Sequence, residues 1–111
     1  MARTASKVGK PVLSVVEAEV RSRFARQDAL RVLSALEAAQ LPFLKDESHV
    51  RERARVHLAV LKLANGSLAE FEKWLGEART DWRDVLMAAG MANNDWRTVL
   101  GEAGFRVPES L

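Results

Sequence analysis

A chain of 111 residues, 48% apolar and 29% charged, can bury one small core and has little material for a second. Cysteine and tyrosine are absent and histidine occurs only at His49 and His57, which excludes disulfides, thiolate metal sites and cysteine nucleophiles and thins the acid–base inventory. A net charge of +2 is too small to point to a polyanionic partner, but residues 1–62 hold 12 basic and 7 acidic side chains whereas residues 63–111 hold 5 and 8.

Taken in chain order, residues 1–10 carry Arg3, Lys7 and Lys10 with no apolar h-region before Glu17, so they read as a flexible basic arm and not as a secretory signal. Residues 11–111 then form a single helical domain. No apolar run approaches the roughly 20 residues a bilayer requires, so no membrane span is expected. The absence of cysteine fits a cytoplasmic protein.

Pro11 followed by Ser14 and Glu17 has the spacing of a capping box, which places a helix start near residue 14. Leu13, Val16, Val20 and Phe24 step by three or four and share one side. Ala29, Leu30, Leu33 and Leu36 fall on nearly the opposite side of the same ideal helix, which predicts a break near Arg26–Asp28 with Asp28 as the cap of the second piece. Leu41-Pro42 stops that piece, because the residue before proline leaves the helical region.

A third helix is predicted from Asp46–Ser48 to Asn65-Gly66, where glycine permits a left-handed closure. Val50, Ala54, His57, Leu58, Leu61 and Ala64 form one apolar arc, with Val56, Val60 and Leu63 beside it, so this is the expected central helix. Arg51, Arg55 and Lys62 share a narrow stripe opposite, read as a solvated face. Ser67 and Glu70 make a second capping box, opening a helix whose face is Leu68, Phe71, Trp74, Leu75 and Ala78.

The last third contains an internal repeat. Residues 80–91, beginning Thr80-Asp81-Trp82-Arg83, align with residues 94–105, beginning Asn94-Asp95-Trp96-Arg97, with seven of 12 positions identical. Each copy reads as a short helix with a Thr or Asn cap, an early Asp and a closing Gly, and with its Trp, Val, Leu and Ala turned inward. The alternation of period two that marks strands is missing. The expected fold is all-α, a single compact bundle of five or six helices ending in two short repeated helices.

Leu63-Ala64-Asn65-Gly66-Ser67-Leu68 followed by Ala78-Arg79-Thr80-Asp81-Trp82-Arg83-Asp84-Val85-Leu86 resembles a pattern of small uncharacterised bacterial all-helical proteins, in which an NG or DG stop precedes an A-x-x-D-[WY]-R-D-[VL] segment. The resemblance covers about residues 60–90 and implies a bacterial, soluble, helical protein, with no activity or binding residue attached. Where that pattern continues into an acidic aromatic tail, this chain repeats its own Asp-Trp-Arg unit.

For chemistry the inventory is thin. His49 and His57 stand eight residues apart, too far for adjacent ligation of one ion, and no phosphate loop, dinucleotide fingerprint or nucleophile elbow occurs. His57 reads as a hydrogen-bonded core residue and His49 as part of a first turn. Asp81 with Asp84, and Asp46 with Glu47, sit at helix starts, where capping explains them. No catalytic, cofactor-binding or metal-binding residue is assigned, and the expectation is a non-enzyme without cofactors; a hydrolase would require a pocket uniting His57 with carboxylates of other helices. Met87 lies off the inward arc of its helix, and with the doubly apolar third helix it points to a non-enzymatic interaction module that self-associates as a homo-oligomer or docks on a protein partner. The alternative is a helix-turn-helix nucleic-acid binder built from residues 81–103, with Asn94, Arg97 and Thr98 offering donors to bases and phosphates. Asp95 and the acidic C-terminal half count against it.

Overall fold

The computed structural model describes residues 12–111; the expected arm at residues 1–10 lies outside the described residues. Every regular element among them is helical: α1 (Ser14–Arg23), α2 (Arg26–Ala38), a 3-10 turn (Glu47–His49), α3 (Val50–Ala64), α4 (Leu68–Ala88) and α5 (Trp96–Glu102). The radius of gyration, 13.3 Å, matches the roughly 13 Å of a folded domain of this size.

α1 begins at Ser14, but the residue flanking it is Leu13 and no side chain caps it. Glu17 pairs with Arg21 at 2.9 Å on the exposed side, so the expected Ser14 capping box does not form. The break between α1 and α2 falls at Phe24 and Ala25, both extended, earlier than Arg26–Asp28, and Asp28 sits in the first turn of α2 without capping it. The extended backbone at Phe24 accompanies a buried ring that meets Phe71 of α4 edge-on, with centroids 6.2 Å apart. On α2 the buried face is Ala29, Val32, Leu33 and Leu36, whereas Leu30, expected inside, is 57% exposed.

α3 is the central helix. Every residue from Val56 to Leu61 is buried, because α4 packs along one side and α1 along another. Burying a leucine such as Leu58 or Leu61 is worth about 2 kcal/mol, and a helix lined on two sides gains this around most of its circumference. It ends as the sequence predicts: Asn65 takes a left-handed φ of 50° and Gly66 one of 83°. Ser67 then accepts the Glu70 N–H at 3.2 Å, and α4 buries Phe71, Leu75 and Ala78.

At Asp81 the backbone of α4 becomes extended (φ −155°, ψ 94°) and the helix restarts at Trp82. Asp81 Oδ1 accepts the Arg83 N–H at 3.1 Å; the expected cap, Thr80, instead donates to Gly76 O at 3.4 Å. The segment closes with Met91 N–H to Leu86 O at 2.8 Å around left-handed Gly90, and α5 closes with Phe105 N–H to Leu100 O at 3.0 Å around left-handed Gly104. Asn94 does not cap α5, whose flanking residue is Asp95. The chain then returns to α1: buried Glu19 accepts Arg23 Nε at 2.9 Å on one oxygen and the Arg106 backbone N–H at 2.8 Å on the other. Arg23 lies 3.6 Å over the Phe105 ring.

Candidate functional site

Leu41-Pro42-Phe43-Leu44 joins α2 to the 3-10 turn. Leu44 N–H donates to Leu41 O at 3.0 Å, which closes a four-residue turn with Pro42 at its second position. Proline fixes a negative φ there, which suits both common turn types; in the type II form the third residue takes a positive φ, the geometry in which glycine is favoured. Phe43 occupies that position with φ 69°. Its neighbours Leu41 and Leu44 are buried, so their anchoring turns Phe43 outward, where it is 79% exposed.

Two side chains hold the turn. Trp82 Nε1 donates to Pro42 O at 2.6 Å, while Arg53 Nη1 donates to Leu44 O at 2.8 Å and to Asp46 O at 2.7 Å. Asp46 Oδ1 in turn accepts the Ser48 N–H at 3.0 Å and opens the 3-10 turn. On the outer side Pro42, Phe43, Lys45, Asp46 and His49 line a shallow concavity of about 450 Å³; behind the turn, Arg53 and Lys45 border a cavity of about 90 Å³. Leu30 and Met87, the latter 67% exposed as its position off the inward arc predicts, are the other large apolar side chains facing water among the described residues.

The arginine stripe is not a uniform solvated face. Arg51 is exposed, but Arg55 turns inward, donating through Nη2 at 2.5 Å and Nε at 3.2 Å to Met91 O, and it lies 5.2 Å from the Trp96 ring. Burial first, and the neighbouring Arg97 second, lower its pKa from the usual arginine value. Arg97 and Thr98 on α5 and Asn94 in the loop before it are all exposed, with Arg97 4.6 Å over the ring of buried Trp96. Trp74 and Trp82 are half-buried.

His57 is buried, as its place on the apolar arc predicts, but it is not hydrogen-bonded: neither ring nitrogen has a partner among the described residues. Desolvation, reinforced by the charge of Arg53 one turn earlier, pushes its pKa down to about 4. The expected hydrogen bond fails because Leu13, Val50 and Ala54 beside His57 carry no polar side-chain group and Arg53, the one polar side chain lining the same crevice, donates instead to Leu44 O and Asp46 O. Among the described residues no cluster of three His, Asp or Glu could hold a metal ion, and no helix is long and apolar enough to cross a membrane.

Two residues of this region escaped the sequence reading. Arg53 sits three residues after Val50 and four before His57, on the inward arc, and that spacing is the signal for a buried cation. Phe43 follows a proline between two leucines, which signals a turn but not which side chain faces out. No family model matches this chain, and no curated protein or solved structure matches it.

Proposed function

We propose that this chain is a small non-enzymatic interaction module that engages a protein, either a partner or a second copy of itself, through the surface built on the Leu41–Leu44 turn. The observation that carries the reading is Phe43: a large apolar side chain, 79% exposed, in a left-handed conformation at φ 69°. A left-handed backbone costs a residue with a Cβ about 1–2 kcal/mol, and glycine would remove that cost. Exposed to water, the ring returns little of it through packing, so folding alone does not account for it. A rigid, outward aromatic on a turn held by Trp82 and Arg53 has the character of an interface anchor. The sealed surroundings of His57 support the non-enzymatic side, since a general base must reach its substrate. In the same reading, the segments after Asp81 and Asp95 are two matched short helices, burying Val85 and Leu86 in one and Trp96 and Leu100 in the other.

The test replaces Phe43 with a photo-crosslinking phenylalanine analogue in the native cell and compares it with the same analogue at exposed Glu109. A discrete crosslinked polypeptide, or a crosslinked dimer, specific to position 43 is expected. A chain that sediments as a monomer at high concentration and crosslinks no more at 43 than at 109 refutes the reading.

The nucleic-acid alternative rests on the joint exposure of Asn94, Arg97 and Thr98. It ranks second because α5 has only seven residues, and because Asp95 and Glu102, both exposed, bring negative charge to the side that would face phosphates.

A further inference from the structure

Arg53 is a cation only 7% exposed, and its two acceptors among the described residues, Leu44 O and Asp46 O, are both neutral carbonyls satisfied by one nitrogen, Nη1. No carboxylate among the described residues lies within 4.0 Å of the guanidinium. The other edge, Nε and Nη2, has no hydrogen-bond partner among these residues, and the Arg53 side chain borders both a 90 Å³ cavity and the crevice beside His57. A buried guanidinium without an anion is costly, and its planar fork matches a carboxylate side-on.

We propose that the cavity behind the Leu41–Leu44 turn receives a carboxylate, carried by a polypeptide docked over Phe43, with Arg53 as its floor and Lys45 as its second cation. The proposal rests on the reading of this turn as a docking surface. Leu41, Leu44 and Ala39 form apolar wall around the charged floor, which suits a carboxylate on a carbon chain better than a bare inorganic anion. Two opposing charges choose between sources. Glu37 lines the same cavity, and α2 ends beside it at Ala38, placing the negative end of its dipole there. Both hold a free small acid to weak binding, of about millimolar order, and disfavour a multiply charged phosphate. A carboxylate tethered to a segment already held at Phe43 overcomes this through its effective concentration.

The test is an NMR titration of the intact chain with sodium acetate, against sodium chloride at equal ionic strength. Saturable shifts confined to the Arg53 Nε–H and the backbone amides of residues 39–41 and 43–45 are expected with acetate and not with chloride. Lys45→Gln should weaken acetate binding about threefold and Glu37→Gln should tighten it about threefold, the size of one partly screened charge. An acetylated Leu-Ala-Leu-Ala peptide with a free carboxyl end should bind at least tenfold tighter than acetate, and its C-terminal amide should lose that gain. Acetate shifts no larger than those of chloride, or insensitive to both variants, overturn the site. Equal binding of acetate and both peptides overturns the tethered source and assigns the cavity to a free small acid. The acetate arm reads the cavity alone and crosslinking at position 43 reads the docking surface, so each can fail independently.

Discussion

The indole of Trp82 donates to the backbone carbonyl of Pro42 at 2.6 Å, joining positions 40 residues apart and fixing the turn that presents Phe43 to the point where α4 restarts. Trp82→Phe keeps most of the packing and removes the donor. The expected loss is about 1 kcal/mol in urea unfolding, with faster amide exchange at Leu44, whose N–H closes the turn. Unchanged exchange at Leu44 would show that the turn is held without this bond.

Phe43→Gly should stabilise the fold. Relief of the left-handed strain, about 1–2 kcal/mol, outweighs the extra freedom glycine gives the unfolded chain, about 0.5–1 kcal/mol, for a net gain of about 0.5–1 kcal/mol. The same substitution should abolish association with the polypeptide that crosslinks at position 43. Stability and binding moving in opposite directions is the expected signature, read by denaturation and sedimentation on one pair of proteins.

His57 makes stability depend on acidity. Its folded pKa of about 4 lies below the unfolded value of 6.5, so as pH falls through that window the unfolded chain binds a proton the folded chain refuses. Stability from this group is complete above pH 6.5 and declines below it, with a loss reaching about 3 kcal/mol near pH 4. His57→Leu should flatten this part of the curve and raise stability at neutral pH by about 1–2 kcal/mol, because two unpartnered nitrogens leave the core. Equal slopes for both proteins between pH 6.5 and 4 would refute it.

Arg55 holds the Met91–Asn93 loop through bonds to Met91 O, so Arg55→Ala should cost about 2 kcal/mol and loosen α5 before the rest of the molecule. Hydrogen exchange over residues 96–102 reads this. Arg55→Lys should recover less than half the loss, since an ammonium cannot reproduce the two-nitrogen contact.

Glycine substitutions separate local geometry from space. Gly66 has φ +83°, and an added Cβ would meet Arg23 O at an ordinary 3.5 Å, so Gly66→Ala should cost about 1 kcal/mol through backbone strain. Gly76 lies within α4 with nothing within 4 Å of an added Cβ, so Gly76→Ala should gain about 0.5–1 kcal/mol. Thermal melts of the two should move in opposite directions.

Helix stops and starts were readable where their causes are local. Asn65-Gly66, Ser67 with Glu70, and the closures at Gly90 and Gly104 involve groups within a few positions of each other, so the residue types suffice. Where two local solutions compete, packing decides between them. Ser14, Asp28, Thr80 and Asn94 can all cap, yet Leu13, Ala25, Asp81 and Asp95 flank the helices, because packing sets where each backbone bends. Leu30 and Val32 exchanged roles for a similar reason: the break at Phe24–Ala25 reset the angle at which α2 meets its neighbours.

By itself the order of amino acids determined that the described chain is helical, that α3 lies at its centre and that Met87 faces water, because hydrophobic spacing and backbone closure act over one or two turns. Only the tertiary structure decided that Phe43 is displayed while Leu41 and Leu44 are hidden and that Arg55 is drawn to Met91. Those outcomes depend on which surfaces meet across 36 to 40 residues of chain, and no short-range pattern carries that information.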